Sequence, residues 1–423
     1  MKKTFIFLFV LCGFLFAQVD ANLEIVKKAK TLPKISVNIA SDSAEIATLS
    51  KIKEILTKDL IISGHFDVAL SNSIIKFDDE LDTLRLSNEG LDLYLLLSAK
   101  RSLNGSYTLY TKLFDINAKT LSLQKSYTTL KEDRYPFLAH RTAISVNDHF
   151  DAPSIDWMDK FVVFSTYKES KKADIMIGDY TLNYKKTIIR GGLNIFPKWA
   201  DKNQRSIYYT SYNYVKPTLV KLNIYTQEKS IIMQSDGMIV ASDVNSDGSK
   251  VLITASPNNQ PDVYLYNTST KSAKQVTNYS GIDVSAQFID DGSKMVFVSD
   301  RLGYPNIFAK SFNSRGVERL VYHSRNNSSA TSHKDNIVYV SRESDNEFNS
   351  RTFNLYLMST KSDSLKRLTS SGINQFPKFS KDGESLLFIK NFNSQSSVGI
   401  IRLNFNKSYL FNLDGGRIQS IDW

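Results

Sequence analysis

A single cysteine, Cys12, occurs in the 423 residues, so no intramolecular disulfide can form and packing alone has to hold the fold. That cysteine lies in the only obviously apolar leader: Lys2 and Lys3, then Phe5 to Phe16, then small Ala17 as a cleavage point. The pattern predicts a signal peptide over residues 1–17 and an exported mature chain without cysteine. Leu11 before Cys12 argues against lipoprotein processing, which wants a small residue there. The leader is too short to span a bilayer, and no later segment reaches the ~20 apolar residues a span needs, so no stable membrane insertion is expected.

Catalytic signatures are also missing. No G-x-S-x-G elbow, H-E-x-x-H pair, glycine-rich phosphate loop or calcium-binding loop occurs, and His65, His140, His149, His323 and His333 lack ligand-like spacing. No cofactor or metal is predicted. A propeller-capped serine peptidase would need a nucleophile elbow, which is absent. A propeller enzyme or a small-ligand protein using a central channel stays open as the alternative, but it would need several acidic or histidine side chains converging there, and few candidates are visible. Charge is uneven without forming runs. Residues 18–150 carry 17 basic and 17 acidic side chains, whereas residues 151–423 carry a net +8. Scattered lysines of this kind describe a solvated surface, and nucleic acid is not an expected partner.

What is present is a repeat. Phe196-Pro197-Lys198-Trp199 returns as Phe376-Pro377-Lys378-Phe379, and Asp-Gly recurs at 247–248, 291–292 and 382–383, each time just ahead of a β-rich run. Asp-Gly suits a type I′ hairpin, in which both central residues need positive φ. Taking the aromatic or its equivalent as an anchor gives positions 157, 199, 244, 288, 332, 379 and 423, spaced by 42 to 47 residues. Each unit reads as four short strands without a helix, the dimensions of a propeller blade. Ser154-Ile155-Asp156-Trp157 reappears as Ser420-Ile421-Asp422-Trp423. A surplus terminal copy of this kind predicts that the last strand completes the first blade, whose outer strands come from residues 161–189, and so removes free edges. The expectation for residues 151–423 is a six-bladed β-propeller closed by the C-terminal strand, within a mainly β fold.

Residues 34–150 lack that period and predict a small α+β domain. A strand at 34–39 leads to a helix with Ile46, Leu49, Ile52, Leu56 and Leu60 on one face, Asp42 and Glu45 at its start and Gly64 at its end. Three strands follow at 91–97, 107–114 and 121–128, with Asn104-Gly105 as a hairpin turn, and then a helix at 135–146. Residues 18–33 carry Leu23, Ile25 and Val26 with no evident core to join, which suits a short partner-binding segment.

Taken together, the leader, the α+β domain and the six units with P-x-[WF] anchors and Asp-Gly turns resemble the TolB family, periplasmic components of the Tol-Pal envelope system. Asp59-Leu60, Ser63-Gly64 and Phe66 fit that family's D-L-x-x-S-G-x-F helix end, and Ala139-His140-Arg141 fall where it has its last helix. The resemblance implies a non-enzymatic periplasmic scaffold. It would bind the lipoprotein Pal through the propeller and TolA through the N-terminal segment, with other outer-membrane proteins as further partners, supporting envelope integrity and constriction during cell division. It places Pal on the loops before the innermost strands, at Met238, Ala241, Asp283 and Val284, and TolA at Leu23, Ile25 and Val26. Ala241 matches the family's residue, while Met238 and Val284 stand where the family has histidine and threonine.

Overall fold

The computed structural model describes residues 32–71, 75–324, 326–343 and 352–423; the expected signal peptide and the residues expected to bind TolA, Leu23, Ile25 and Val26, lie outside them. The chain begins with β1 (Lys34–Ile39), α1 (Ile46–Ser63), β2 (Asp67–Ala69), α2 (Thr83–Asn88), β3 (Leu93–Arg101), β4 (Tyr107–Asp115), β5 (Thr120–Thr129) and α3 (Tyr135–His149). The strands form one sheet in the order β2-β1-β3-β4-β5, parallel around β1 and antiparallel from β3 onward. Helices α1 and α3 pack on each other and on one face of it, burying Leu49, Ile52, Leu56 and Leu60 against Ile35, Val37, Leu95 and Leu97. Burying such side chains stabilises by roughly 1.5–3 kcal/mol each, so this face of α1 is what commits the segment to a helix.

Two local expectations need correction. Ile46 is exposed and Asp42 does not cap α1; its carboxylate instead accepts the backbone N–H of Phe77 (3.0 Å), because the residues after β1 turn toward the loop carrying Phe77 before the helix begins. Gly64 does end the helix, in a left-handed conformation (φ 75°). A side chain there would also collide with the Phe405 ring, whose nearest atom would lie 2.7 Å from a Cβ.

After a short 3-10 turn at Asp156–Asp159 the chain forms antiparallel sets of strands. The first strand of each later set is Asn194–Trp199, Ile239–Val244, Asp283–Ile289, Asn327–His333 or Ile373–Phe379, and each hydrogen-bonds to the strand that follows it. The last strand, Arg417–Asp422, pairs instead with Val162–Glu169, so that Ile421 faces Phe164. These six strands touch one another in succession, and Ile373–Phe379 touches Arg417–Asp422, which in turn touches Asn194–Trp199. Every one of the six carries a register shift. A bulge of this kind re-aims side chains. At Phe196, Ser285, Ser329 and Phe376 it takes the backbone to φ between 45° and 56°.

The Asp-Gly turns follow a different geometry from the type I′ expectation. Gly248 and Gly383 have positive φ, but Asp247 and Asp382 do not. Each glycine N–H instead donates to the carbonyl three residues back, Asn245 or Ser380 (3.0 and 2.9 Å), within a wider loop closed from Lys250 or Ser385. Only Asp291-Gly292 has both residues at positive φ. Asn104-Gly105 is likewise part of a five-residue connection between Arg101 and Tyr107, with positive φ at Gly105 alone.

Candidate docking site at the channel mouth

The residue before each of the six anchors from 199 onward lies where the six bulged strands converge. In sequence order these are Lys198, Asp243, Gln287, Thr331, Lys378 and Asp422. The Lys198 ammonium donates to Asp422 Oδ1 (2.9 Å) and pairs with Asp243 Oδ1 (3.1 Å). Each carboxylate also accepts the backbone N–H of the next anchor, Asp422 from Trp199 (3.0 Å) and Asp243 from Phe288 (2.9 Å). Lys378 donates to Gln287 Oε1 (2.9 Å), whose amide donates to the Ser242 carbonyl (2.7 Å).

The two lysines differ in charge environment. Burial alone would lower the Lys198 pKa, yet the Asp422 and Asp243 carboxylates hold it above the ordinary lysine value. Lys378 is pushed down to about 8, first by burial and then by the like charge of Lys198. Two aspartates and no histidine meet in this cluster, together with two lysines that the search for acidic and histidine side chains did not consider. The signal was the column of residues before the anchors, read down the repeats instead of along the chain.

Two cavities flank this cluster. One, of about 110 Å³, is lined by Phe196, Phe376, Met238, Ala241, Lys198 and Lys378 among others. Its aromatic collar brings the Phe196 and Phe376 rings to 6.4 Å. The second, about 180 Å³, lies between the same lysines and His333, Ser380 and Trp423. Of the sequence-predicted residues, Met238 and Ala241 thus line the mouth, Ala241 as part of its buried wall. Val284 is half-buried beside it. Asp283 is buried, with both carboxylate oxygens held by Arg301 Nη2 at 3.0 Å, so its charge serves the Arg301 contact and does not face outward.

The starts of the bulged strands and the loops joining second to third strands share one edge of the sheets, because successive strands are antiparallel. Exposed Tyr212, Tyr214, Val215 and Leu302 stand on those loops, and exposed Phe392 ends the strand that leads into another of them. The opposite edge carries the α+β domain. There Arg402 Nη2 donates to the Ser63 carbonyl (3.1 Å) and Phe405 meets His65 edge-on (5.7 Å). A sealed ionic cluster sits beside them: His140 bonds through Nδ1 to Asp59 (2.8 Å) and through Nε2 to Asp179 (3.4 Å), and the Tyr180 hydroxyl donates to Asp59 (2.5 Å). Burial would lower the imidazole pKa, but the Asp59 and Asp179 carboxylates push it up to about 10. Among the described residues no group of acids, histidines or cysteines is arranged to hold a metal, and no helix is long and apolar enough to cross a membrane.

Comparison with known proteins places this geometry. A family model, the TolB beta propeller domain, matches residues 159–423. The Tol-Pal system protein TolB of Wolinella succinogenes is 47% identical over 424 residues, covering 100% of both chains. The proteins of the same name from Helicobacter pylori and Campylobacter jejuni are 43% and 44% identical, again over 100% of both chains. The crystal structure of TolB from Acinetobacter baumannii superposes with a TM-score of 0.77 over 96% of this chain and 98% of that one; at 19% identity it is a likeness of fold.

Proposed function

The chain belongs to the TolB family of the Tol-Pal system, and from that membership we propose that it is a non-enzymatic periplasmic scaffold whose propeller docks Pal. The scaffold is a ring of six blades sealed by its own C-terminal strand. Residues 1–17 direct export and are removed; residues 18–33 bind TolA through Leu23, Ile25 and Val26. By joining the two partners it supports outer-membrane integrity and envelope constriction during division.

The observation that carries this reading is the mouth itself. Met238 and Ala241 line an apolar, aromatic-collared entrance, and that edge presents exposed Tyr212, Tyr214, Val215 and Phe392 on the side away from the α+β domain. Aromatic side chains around a central pocket are the composition of a protein-docking surface. The succession of contacts between the bulged strands, ending with Arg417–Asp422 beside Asn194–Trp199, supports the sealed ring.

Capture of the mature protein on purified cognate Pal tests the face. Ala241→Glu puts a charge into the buried wall and should abolish capture, whereas capture at wild-type strength would show that the docking face lies elsewhere. Deleting residues 18–32 should abolish TolA binding and spare Pal binding; loss of both would make the segment part of the fold.

A further inference from the structure

Phe-Pro-Lys occurs twice, at 196–198 and 376–378, and the two copies build one place. Phe196 and Phe376 both hold φ 53°, a conformation that bulky residues adopt only where the surroundings impose it and that gathers at ligand sites. Their rings form the collar of the mouth cavity, and Lys198 and Lys378 lie below them.

The two ammonium groups are not equally satisfied. Lys198 is matched by two carboxylates. Lys378 is half-buried and lines both cavities, yet among the described residues its hydrogen-bond acceptor is the neutral Gln287 amide oxygen. An ammonium has three donors, and a cation drawn out of water without a directly bonded counter-charge is a costly arrangement. The carboxylates of Asp243 and Asp422 pull its pKa upward from a distance, but they are hydrogen-bonded by Lys198 and by the N–H groups of Phe288 and Trp199, and their pull does not offset burial and the like charge of Lys198. Burial and Lys198 leave the Lys378 amine titrating near 8, the behaviour of a cation short of an anion.

We propose that Lys378 is the seat for an acidic side chain of the docking partner, which enters between Phe196 and Phe376 and places its carboxylate on the Lys378 ammonium. The cavity of about 110 Å³ has room for a few waters at ~30 Å³ each, and hence for one short side chain in their place. The apolar collar excludes water from the ion pair once it forms, which strengthens it. A basic partner residue is disfavoured by the pair of lysines. This inference rests on docking at the mouth and specifies which chemical group the mouth selects.

Calorimetric titration of the mature protein with purified Pal separates the two ideas. Lys378→Met should weaken binding on the order of tenfold or more, and converting the one seated acid of Pal to its amide should cost a similar factor with wild type and little further with Lys378→Met. If Lys378→Met binds like wild type while Ala241→Glu does not, the mouth docks the partner without an anion seat and this inference fails alone. If both variants bind like wild type, the docking reading fails and takes the inference with it. A second measurement does not depend on any variant folding: the Lys378 ε-carbon resonance followed through pH. Sodium acetate should raise its apparent pKa above about 8, and sodium chloride at equal ionic strength should not. An unmoved titration in acetate, or an equal shift in chloride, would overturn the carboxylate seat.

Discussion

Among the described residues, two ionic clusters drawn back from solvent are assembled from residues far apart in sequence, and they differ in one respect. At the domain junction, Asp59, His140 and Asp179 are fully buried, and the hydroxyls of Tyr180 and Thr181 and the N–H groups of Thr181 and Tyr184 take up further carboxylate lone pairs. Where the bulged strands converge, Lys198, Asp243, Asp422 and Lys378 stand between two cavities, and among the described residues one of the two cations donates to a neutral amide oxygen and to no carboxylate. A saturated network shut off from solvent holds parts together. An unsaturated one beside a cavity can take a ligand, because a partner group completes what the protein leaves open. Burial of charge alone would not have told the two apart.

The junction should therefore be the more sensitive to stability mutations. Removing the imidazolium leaves two buried carboxylates without their shared donor, and His140→Leu should cost about 3–5 kcal/mol, read as a lower midpoint in urea unfolding. A loss under ~1 kcal/mol would make the junction ornamental. The sign with pH follows from the raised pKa. Folded His140 keeps its proton to about 10 whereas the unfolded imidazole releases it near 6.5, so this contribution is complete below pH 6.5 and is lost as pH rises toward 10. Wild-type stability should decline across that window through this group, and the variant should lack that component.

In the channel the matched lysine comes next. Lys198→Met strips Asp243 and Asp422 of their shared cation, but the neighbouring cavity lets water reach the carboxylates. About 2 kcal/mol, the range of hydrogen bonds to charged groups, is the expected loss, with the C-terminal strand released first because Asp422 is its tie to Trp199. Amide exchange should speed up at residues 417–422 relative to the rest. Uniform acceleration across all blades would mean that the strand is not held at this point.

How much of this contrast was legible in the sequence depends on distance along the chain. The strands, their period and the terminal Ile421-Asp422 copy could be read because each unit repeats the same local pattern, and a repeat multiplies a weak signal. The apolar face of α1 and the stop at Gly64 were likewise local. Asp59 was visible as a match to the family's helix end and His140 as part of its last helix, but the contacts of His140 with Asp59 and Asp179 span 81 and 39 residues, which no periodicity encodes. The channel cluster lay in the column before the anchors; it gained meaning only when Asp422 came beside Lys198, 224 residues away. Local rules also failed where a neighbour outbid them, as at Asp42, drawn from the helix start to Phe77, and at Asp247, whose wider loop removed the need for positive φ.

The smallest stability effect is expected at Lys378, and it sharpens the comparison most. Methionine in its place relieves the desolvation of a charge that no carboxylate directly bonds, while leaving the Gln287 oxygen without its donor. The two terms oppose, so Lys378→Met should change stability by no more than about 1 kcal/mol near neutral pH. The pH dependence gives the sign. The folded amine releases its proton near 8, whereas the unfolded one holds it to about 10.5, so between those values the unfolded chain binds more protons and this group makes wild type more stable as pH rises. The variant has no such term, and measured against wild type it should fall behind progressively from pH 8 to 10.5. A cost of 3 kcal/mol or more at neutral pH, with no drift above pH 8, would place Lys378 in the same class as His140 and end the distinction between the two clusters.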